Sequence, residues 1–157
     1  MAKSESYPLK MEELNLPNYK IRLEHFEGVL KVFDIIRKKF IIMTPEEWVR
    51  QHFINYLINH LKYPKSLIKV ESGHKFNKLA KRSDIIVYDR TGSPFMLVEC
   101  KSSKEKIKKA AAFQASVYNR TIKSRYVVVT NGMGFICGSV ESSNRNINWM
   151  EHLPPFP

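Results

Sequence analysis

The hydrophobic pattern of this chain is clearest over two apolar runs, residues 84–88 and 95–101, which flank a turn containing Gly and Pro. Apolar runs on either side of such a turn are typical of two antiparallel strands, so the pattern predicts a β-hairpin. Because alternate residues of a strand share a face, Glu99 and Lys101 should lie on one face while their neighbours point into the core. The second strand therefore ends with an acid and a base side by side.

A pair of carboxylates is predicted at this end of the hairpin. Asp84 opens the first strand, and across a hairpin it lies near Glu99. Mg²⁺ is a hard cation that takes oxygen ligands, so two converging carboxylates suit it. A charged strand end is also the ordinary place for a sheet to meet solvent. The apolar character of both strands favours the metal site, because acids at the end of such strands are costly unless they are solvated or bind something.

Further helices and strands are predicted on both sides of the hairpin. Thr44 as an N-cap and Pro45 at the first helical position predict a helix through about Leu61. The β-branched run 126–130 is typical of a strand buried on both faces. The remaining predicted elements are two strands at 19–23 and 29–33 around Glu27-Gly28, a strand at 66–71, a helix at about 105–119 and a short strand at 135–138.

The order helix, three strands, helix, strand predicts one α/β domain. We expect residues 18–140 to form this domain, with an N-terminal hairpin extension over 18–40 and the core over 44–138. Residues 1–17 should form a poorly fixed arm and residues 141–157 a C-terminal tail, whose Pro-rich end at 153–157 cannot continue regular structure. With 157 residues and 43% hydrophobic composition, the chain can bury a core of its own.

Composition argues against a membrane protein and against a disulfide-stabilised one. No apolar run approaches the ~20 residues that span a bilayer, and the N-terminus lacks the apolar segment of a signal peptide, so we expect a cytoplasmic protein. Cys100 and Cys137 lie in apolar runs without metal-ligand spacing. This predicts reduced thiols in the core, and neither a disulfide nor a zinc site.

The net charge of +11 and the pI of about 9.7 indicate a polyanionic partner. Basic residues flank the proposed site on both sides, which predicts contacts to nucleic-acid phosphates that give affinity without reading sequence. The residues expected to make these contacts are Lys75, Lys78, Lys81, Arg82, Lys104 and Lys108. A solvated helix start is the alternative explanation for the lysines that follow Glu99.

Two polar residues on the helix after the hairpin extend the pattern. Gln114 and Tyr118 are four residues apart, so both project from one face of that helix. Together with Asp84 and Glu99-Cys100-Lys101, they resemble the PD-(D/E)XK nuclease core with its Q-x-x-x-Y extension, in particular the N-terminal nuclease domain of type I restriction-enzyme R subunits. The likeness extends over about residues 34–132. It implies a restriction-endonuclease-like fold, with a mixed central sheet flanked by helices.

The resemblance also implies the chemistry, which is Mg²⁺-dependent DNA cleavage with Mn²⁺ as a substitute metal. The residues that it assigns to catalysis are Asp84, Glu99, Lys101, Gln114 and Tyr118. Asp84, Glu99 and the backbone carbonyl of Cys100 would hold the metal. Lys101 would orient or deprotonate the attacking water and offset phosphate charge. The helical pair would help to position the lysine or the DNA backbone, although Tyr118 is explained nearly as well as a residue that packs the helix on the sheet.

One position departs from the family pattern, and one further residue of the pattern has two candidates in this chain. Ser83 takes the place of the family's nominal Pro, which does not remove the acid that follows it. Family members often carry a further acid on the first helix that completes the metal shell, and we assign Glu46 to that position rather than Glu47. The alternative is that both acids only complement the helix dipole and pair with Arg50.

The predicted function is hydrolysis of DNA phosphodiester bonds by a metal-dependent nuclease. DNA is the expected partner, and the resemblance adds translocase or modification subunits of a restriction system. One alternative is a catalytically silent module of the same fold that binds nucleic acid or a partner subunit, and another is a dimeric junction-resolving nuclease. The presence of Asp84, Glu99 and Lys101 together favours an enzyme over the silent module.

Overall fold

The computed structural model describes residues 12–72, 83–141 and 146–157, and for residues 71, 72, 83 and 84 it describes the backbone alone. It shows a six-stranded mixed sheet with a helix packed on each face, preceded by a separate three-stranded antiparallel sheet. The prediction of an α/β domain with a mixed sheet flanked by helices is confirmed.

The N-terminal sheet contains one strand more than the predicted hairpin. Its strands are β1 (Leu23–Phe26), β2 (Val29–Asp34) and β3 (Lys39–Ile42). The first turn falls on Glu27 and Gly28, where both φ angles are positive, as a two-residue hairpin turn requires. The second turn forms because the Asp34 carboxylate accepts hydrogen bonds from the N–H groups of Ile36 and Arg37. This turn reverses the direction of the chain, so that β3 can pair with β2.

The main fold follows the order helix, three strands, helix, strand and then adds two strands. Its elements are α1 (Pro45–Asn55), β4 (Ile68–Ser72), β5 (Ser83–Tyr88), β6 (Pro94–Cys100), α2 (Lys109–Ile122), β7 (Tyr126–Thr130), β8 (Phe135–Val140) and β9 (Ile147–Met150). The strands lie side by side in chain order, and β6 and β7 form the parallel pair. Parallel neighbours need a long crossover connection, which α2 supplies.

The first helix begins as the sequence predicts and ends differently. The Thr44 hydroxyl accepts the N–H of Glu47 at 3.1 Å, and Pro45 occupies the first helical turn. The α-helix ends at Asn55 and continues as a π-helical turn over Tyr56–His60, so the predicted helix through about Leu61 is part α and part π. Within the three ranges that the structure describes, no helix is long and apolar enough to cross a membrane.

Each helix covers one face of the six-stranded sheet. Val49 and Phe53 of α1 pack with Val98 and Val128 in one apolar cluster. The α2 residues Ala112 and Ala115 pack with Val127 and Val129 in the other. The alternation along β6 and β7 therefore separates the sheet into an α1 face and an α2 face.

Both cysteines lie in the α1-side cluster as free thiols, as predicted. Burial raises the pKa of Cys137 to about 11, so its thiol stays protonated near neutral pH.

The C-terminal residues belong to the fold, which differs from the tail expected over 141–157. β9 pairs antiparallel with β8 and forms one edge of the sheet. Beyond it, the Tyr63 hydroxyl donates a hydrogen bond to the carbonyl of Pro154, and the Phe156 ring packs on Tyr63 and Phe95. A Pro-rich end cannot continue a helix or strand, but its carbonyls and rings still provide an acceptor and apolar surface.

Part of the expected arm is also packed, over residues 12–17. Leu14 is buried and belongs to the α1-side core cluster. The backbone N–H of Asn15 donates to the carbonyl of Gly132 at 2.9 Å, and the Asn15 amide donates to the carbonyl of Met133. The segment therefore lies across the turn between β7 and β8. The remaining arm residues, 1–11, lie outside the described part of the chain.

A buried group of charged residues joins the N-terminal sheet to α1. Asp34, which is fully buried at the end of β2, accepts a hydrogen bond from Arg37 Nε at 2.8 Å. Arg37 also approaches the Glu47 carboxylate at 3.8 Å, and Glu47 forms an ion pair with the fully buried Arg50. Burial would raise the pKa of Asp34, but the hydrogen bonds and charge of Arg37 outweigh it and hold that pKa below 3.8.

Substitution of Gly132 by alanine should destabilise the fold more than the same change at Gly92. Both glycines have φ near +80°, but a Cβ at Gly132 would lie 2.9 Å from Leu14 Cδ2, whereas the space around Gly92 is open. Both variants lose the backbone freedom of glycine, and Gly132→Ala should lose about 1 kcal/mol more from displacement of a packed side chain. Chemical denaturation measures both. Equal losses of stability in the two glycine variants would contradict the contact between Gly132 and Leu14. Full additivity of the stability losses of Gly132→Ala and Leu14→Ala would contradict it as well.

The Asp34→Asn variant should be less stable than the wild type at pH 7, by about 1–3 kcal/mol, because the amide cannot replace the charge-assisted bonds to Arg37. Since the folded-state pKa is lowered, this stability is fully present above the ordinary pKa of 3.8 and is lost as the pH falls through the folded value. The difference should therefore shrink in acid. A double-mutant cycle with Arg37→Gln is the control, and independent effects of the two substitutions would contradict this assignment.

Candidate active site

Strand pairing places three acidic positions in one row across the sheet. Glu71 of β4 pairs with Asp84 of β5, which pairs with Glu99 of β6, which pairs with Val129 of β7. Asp84 therefore lies directly opposite Glu99, near the end at which both parallel strands finish. The side chains of Glu71 and Asp84 are not described, so this arrangement is a statement about backbone register.

Glu99 is nearly buried, and Lys101 lies beside it. Only 7% of Glu99 is exposed, and its Oε1 lies 3.5 Å from Lys101 Nζ. The alternation of β6 explains the pair, since Cys100 enters the α1-side cluster and its two neighbours project to the opposite face. A desolvated carboxylate needs a partner, and the Lys101 ammonium provides one. The lysine remains half-buried and lies 3.8 Å from Glu105 as well.

The backbone holds Lys101 in place one residue beyond the end of β6. Its N–H donates to the carbonyl of Thr130 at 2.8 Å, which extends the pairing with β7. A lysine on a free loop would lose conformational entropy when it engages a substrate, whereas this one starts from a fixed backbone.

Asn131 links the loop that carries Lys101 to the turn after β7. Its Nδ2 donates to the carbonyl of Glu105 at 2.9 Å, and its Oδ1 accepts the N–H groups of Met133 and Gly134 at 2.9 and 3.0 Å. Asn131 is only 9% exposed. The Asn-Gly sequence indicates a tight turn, which the structure contains, but it gives no sign of the contact to residue 105.

Glu12 makes a second link to the same loop. Its carboxylate accepts a hydrogen bond from the Ser103 hydroxyl and lies 3.8 Å from Lys104 Nζ. Its carbonyl accepts the indole N–H of Trp48 on α1 at 2.9 Å. The sequence analysis missed Glu12 because its partners lie far along the chain, and no short-range pattern identifies them.

The two helical residues of the sequence motif lie on α2, the helix that follows the Lys101 loop. Ala112 and Ala115 face the sheet, so Gln114 is exposed and Tyr118 is partly buried at the flank of the helix. Ile107 and Ala111 pack on the sheet at the start of this helix.

The two acids at the start of α1 differ in their surroundings. The Glu47 carboxylate is taken up by Arg50 and Arg37, which agrees with the ion-pair interpretation for this residue. Glu46 is half-buried. Its assignment as a metal ligand stays a prediction.

Only some of the residues expected to contact DNA can be placed. Lys104 and Lys108 are exposed in the loop after Lys101. Lys75, Lys78, Lys81 and Arg82 lie outside the described residues. Among the side chains that are described, no three of His, Cys, Asp and Glu come together, and that set excludes the Asp84 carboxylate.

Comparison with known proteins gives one family. Residues 45–154 match the family model described as type I restriction enzyme R protein N terminus (HSDR_N). The matched region starts at α1 and includes the whole six-stranded sheet, but not the N-terminal three-stranded sheet. Comparison with curated proteins gives no match. The chain belongs to the family of type I restriction enzyme R protein N-terminal domains.

Proposed function

We propose that this protein is a metal-dependent nuclease of the restriction-endonuclease-like fold that hydrolyses DNA phosphodiester bonds. The observation that carries the proposal is the direct pairing of Asp84 with Glu99, with Lys101 Nζ 3.5 Å from the Glu99 carboxylate. Family membership supports it, as does the element order from α1 to β7.

The donor set at the start of β5 and the end of β6 fits Mg²⁺. Asp84 and Glu99 supply carboxylate oxygens at paired positions, and the carbonyl of Cys100, the residue after Glu99, is a third oxygen. A hard cation takes such ligands and keeps several waters, and Mn²⁺ accepts the same set. When bound, the metal would lower the pKa of its water and offset charge on the phosphoryl oxygens. Glu46 is the proposed additional ligand from α1.

The remaining groups act on the water and the DNA. Lys101 would orient or deprotonate the attacking water and stabilise negative charge on the phosphate. Gln114 and Tyr118 would help to position the lysine or the DNA backbone. Phosphate contacts from Lys104, Lys108 and the basic residues 75–82 would hold the DNA without reading its sequence. Translocase or modification subunits of a restriction system would select the target.

A silent binding module is the second candidate, because one observation favours it. Glu99 and Lys101 already satisfy each other, and Glu105 adds a further contact to the lysine. A structural ion pair of this kind needs no metal and no reaction. Cleavage measurements separate the two candidates.

Purified protein should nick supercoiled plasmid in Mg²⁺ and in Mn²⁺ but not in EDTA. Lys101→Ala and Glu99→Gln should each lower the rate by about 100-fold or more, since Lys101 is the proposed general base and Glu99 the proposed metal ligand. Lys39→Ala is the matched control, because Lys39 is an exposed lysine of β3 in the N-terminal sheet, away from the candidate site. Unfolding curves check that each variant is folded. Equal cleavage by folded Lys101→Ala would refute the assigned site, whereas a wild type that binds DNA without cutting in either metal would favour the silent module.

The Asn131→Asp variant should lower kcat with little change in KM. Aspartate keeps the acceptor for the Met133 and Gly134 N–H groups but loses the donor to the Glu105 carbonyl. The turn should survive while the Lys101 loop is released, and misplacement of a catalytic group costs about 10- to 100-fold in rate. Asn131→Ala, which also loses the turn contacts, should in addition be less stable. An unchanged kcat in Asn131→Asp would show that this bond has no positioning role.

A further inference from the structure

An exposed aromatic pair lies on the α2 side of the main sheet. Phe113 and Val117 of α2 are 51% and 54% exposed, and Trp149 of β9 is 38% exposed. The rings of Phe113 and Trp149 meet edge to face with centroids 5.7 Å apart. Lys109 Nζ lies 5.2 Å from the centre of the Trp149 ring, so a cation adjoins the pair.

This pair lies on the same sheet face as Glu99. Leu97 pairs with Val127, Val127 with Gly138, and Gly138 with Trp149. Paired positions share a face, and Leu97 precedes Glu99 by two residues, so Trp149 and Glu99 are on one face. They are three strands apart, which is about 14 Å across the sheet, with α2 between them.

A basic segment connects the two places around the start of α2. Residues 101–109 contain five lysines and one acid, Glu105, which lies 3.8 Å from Lys101. Lys104, Lys106 and Lys108 are all exposed. The segment begins at the lysine of the candidate active site and ends at the lysine beside Trp149. A polyanion at Lys101 therefore meets a continuous series of cations that leads to the aromatic pair.

The combination of cations and exposed rings indicates what this surface binds. Proteins hold single strands by a basic track along the backbone together with aromatic rings on which bases stack. A purely apolar protein partner would leave the lysines around this patch without counter-charge, and a second copy of this chain would bring its own net charge of +11. We infer that Phe113, Trp149 and Lys109 form a stacking site for bases of a single-stranded nucleic acid that extends from the Lys101 site.

This inference rests on the proposed function for the origin of the strand, but its test does not require cleavage. Binding is measured in EDTA, with fluorescent oligo(dT) and an abasic oligonucleotide of equal length. The wild type should prefer oligo(dT), and the Trp149 fluorescence should be quenched on binding. Trp149→Leu and Phe113→Leu should each weaken oligo(dT) binding by about 5- to 100-fold, with abasic binding and the salt dependence unchanged. Lys109→Gln should weaken both oligonucleotides and reduce the salt slope by about 0.7.

Phe26→Leu is the matched control, because Phe26 is 58% exposed on the N-terminal sheet and should leave binding unchanged. Equal wild-type affinity for the two oligonucleotides, or an unchanged preference in Trp149→Leu, would overturn the inference. So would a wild-type dimer in sedimentation that Trp149→Leu converts to monomer, since the face would then be an interface between two copies. If the wild type fails to cut DNA but shows the stacking preference, the nuclease proposal fails and the stacking site stands.

Discussion

The parallel pairing of β6 with β7 is the constraint on which the candidate site depends. Two parallel neighbours finish at the same end of a sheet, so Lys101 and Thr130 leave their strands together and bond through their backbones. The same pairing requires a long connection, which here consists of the basic loop and α2. The antiparallel β5 begins at this end, and this brings Asp84 opposite Glu99. The directions of β5, β6 and β7 therefore bring Asp84, Glu99, Lys101 and the basic loop to the same end of the sheet.

The burial of Glu99 determines how the candidate site is stabilised. A carboxylate as enclosed as Glu99 would destabilise the fold if it were unpaired, and Lys101 offsets that cost in the protein without ligand. The loop that carries the lysine, residues 101–108, contains one apolar residue, Ile107. Hydrogen bonds from Asn131 and Ser103 fix it instead, to the carbonyl of Glu105 and the carboxylate of Glu12. Rigid positioning of a charged group by its surroundings is what an electrostatic active site needs.

Local sequence patterns predict most of the helices and strands of the core but few of the long-range contacts between them. The predicted start of α1 at Thr44 and the predicted turn at Glu27-Gly28 are confirmed. Both features are predictable because the residues that determine them lie within a few positions of one another. The buried strand β7 is predicted correctly because three consecutive valines favour a strand that is buried on both faces. The paired register of Asp84 and Glu99 follows from the hairpin alone.

Most of the missed contacts have a different cause, which is that their partners lie far away in the chain. β9 is an exception, because it pairs with its chain neighbour β8 but contains only four residues, too few for a clear alternating pattern. Glu12 and Ser103 are separated by 91 residues, and Asn131 and Glu105 by 26. Such contacts depend on how the layers assemble, and no pattern in a window of ten residues contains that information. The acids of α1 show both kinds of contact. Glu47 pairs with Arg50 three residues later in the same helix, as a short-range pattern predicts, and it also approaches Arg37, which lies outside the family match. Because these two arginines interact with the Glu47 carboxylate, Glu46 is the acid of α1 that we propose for a metal shell.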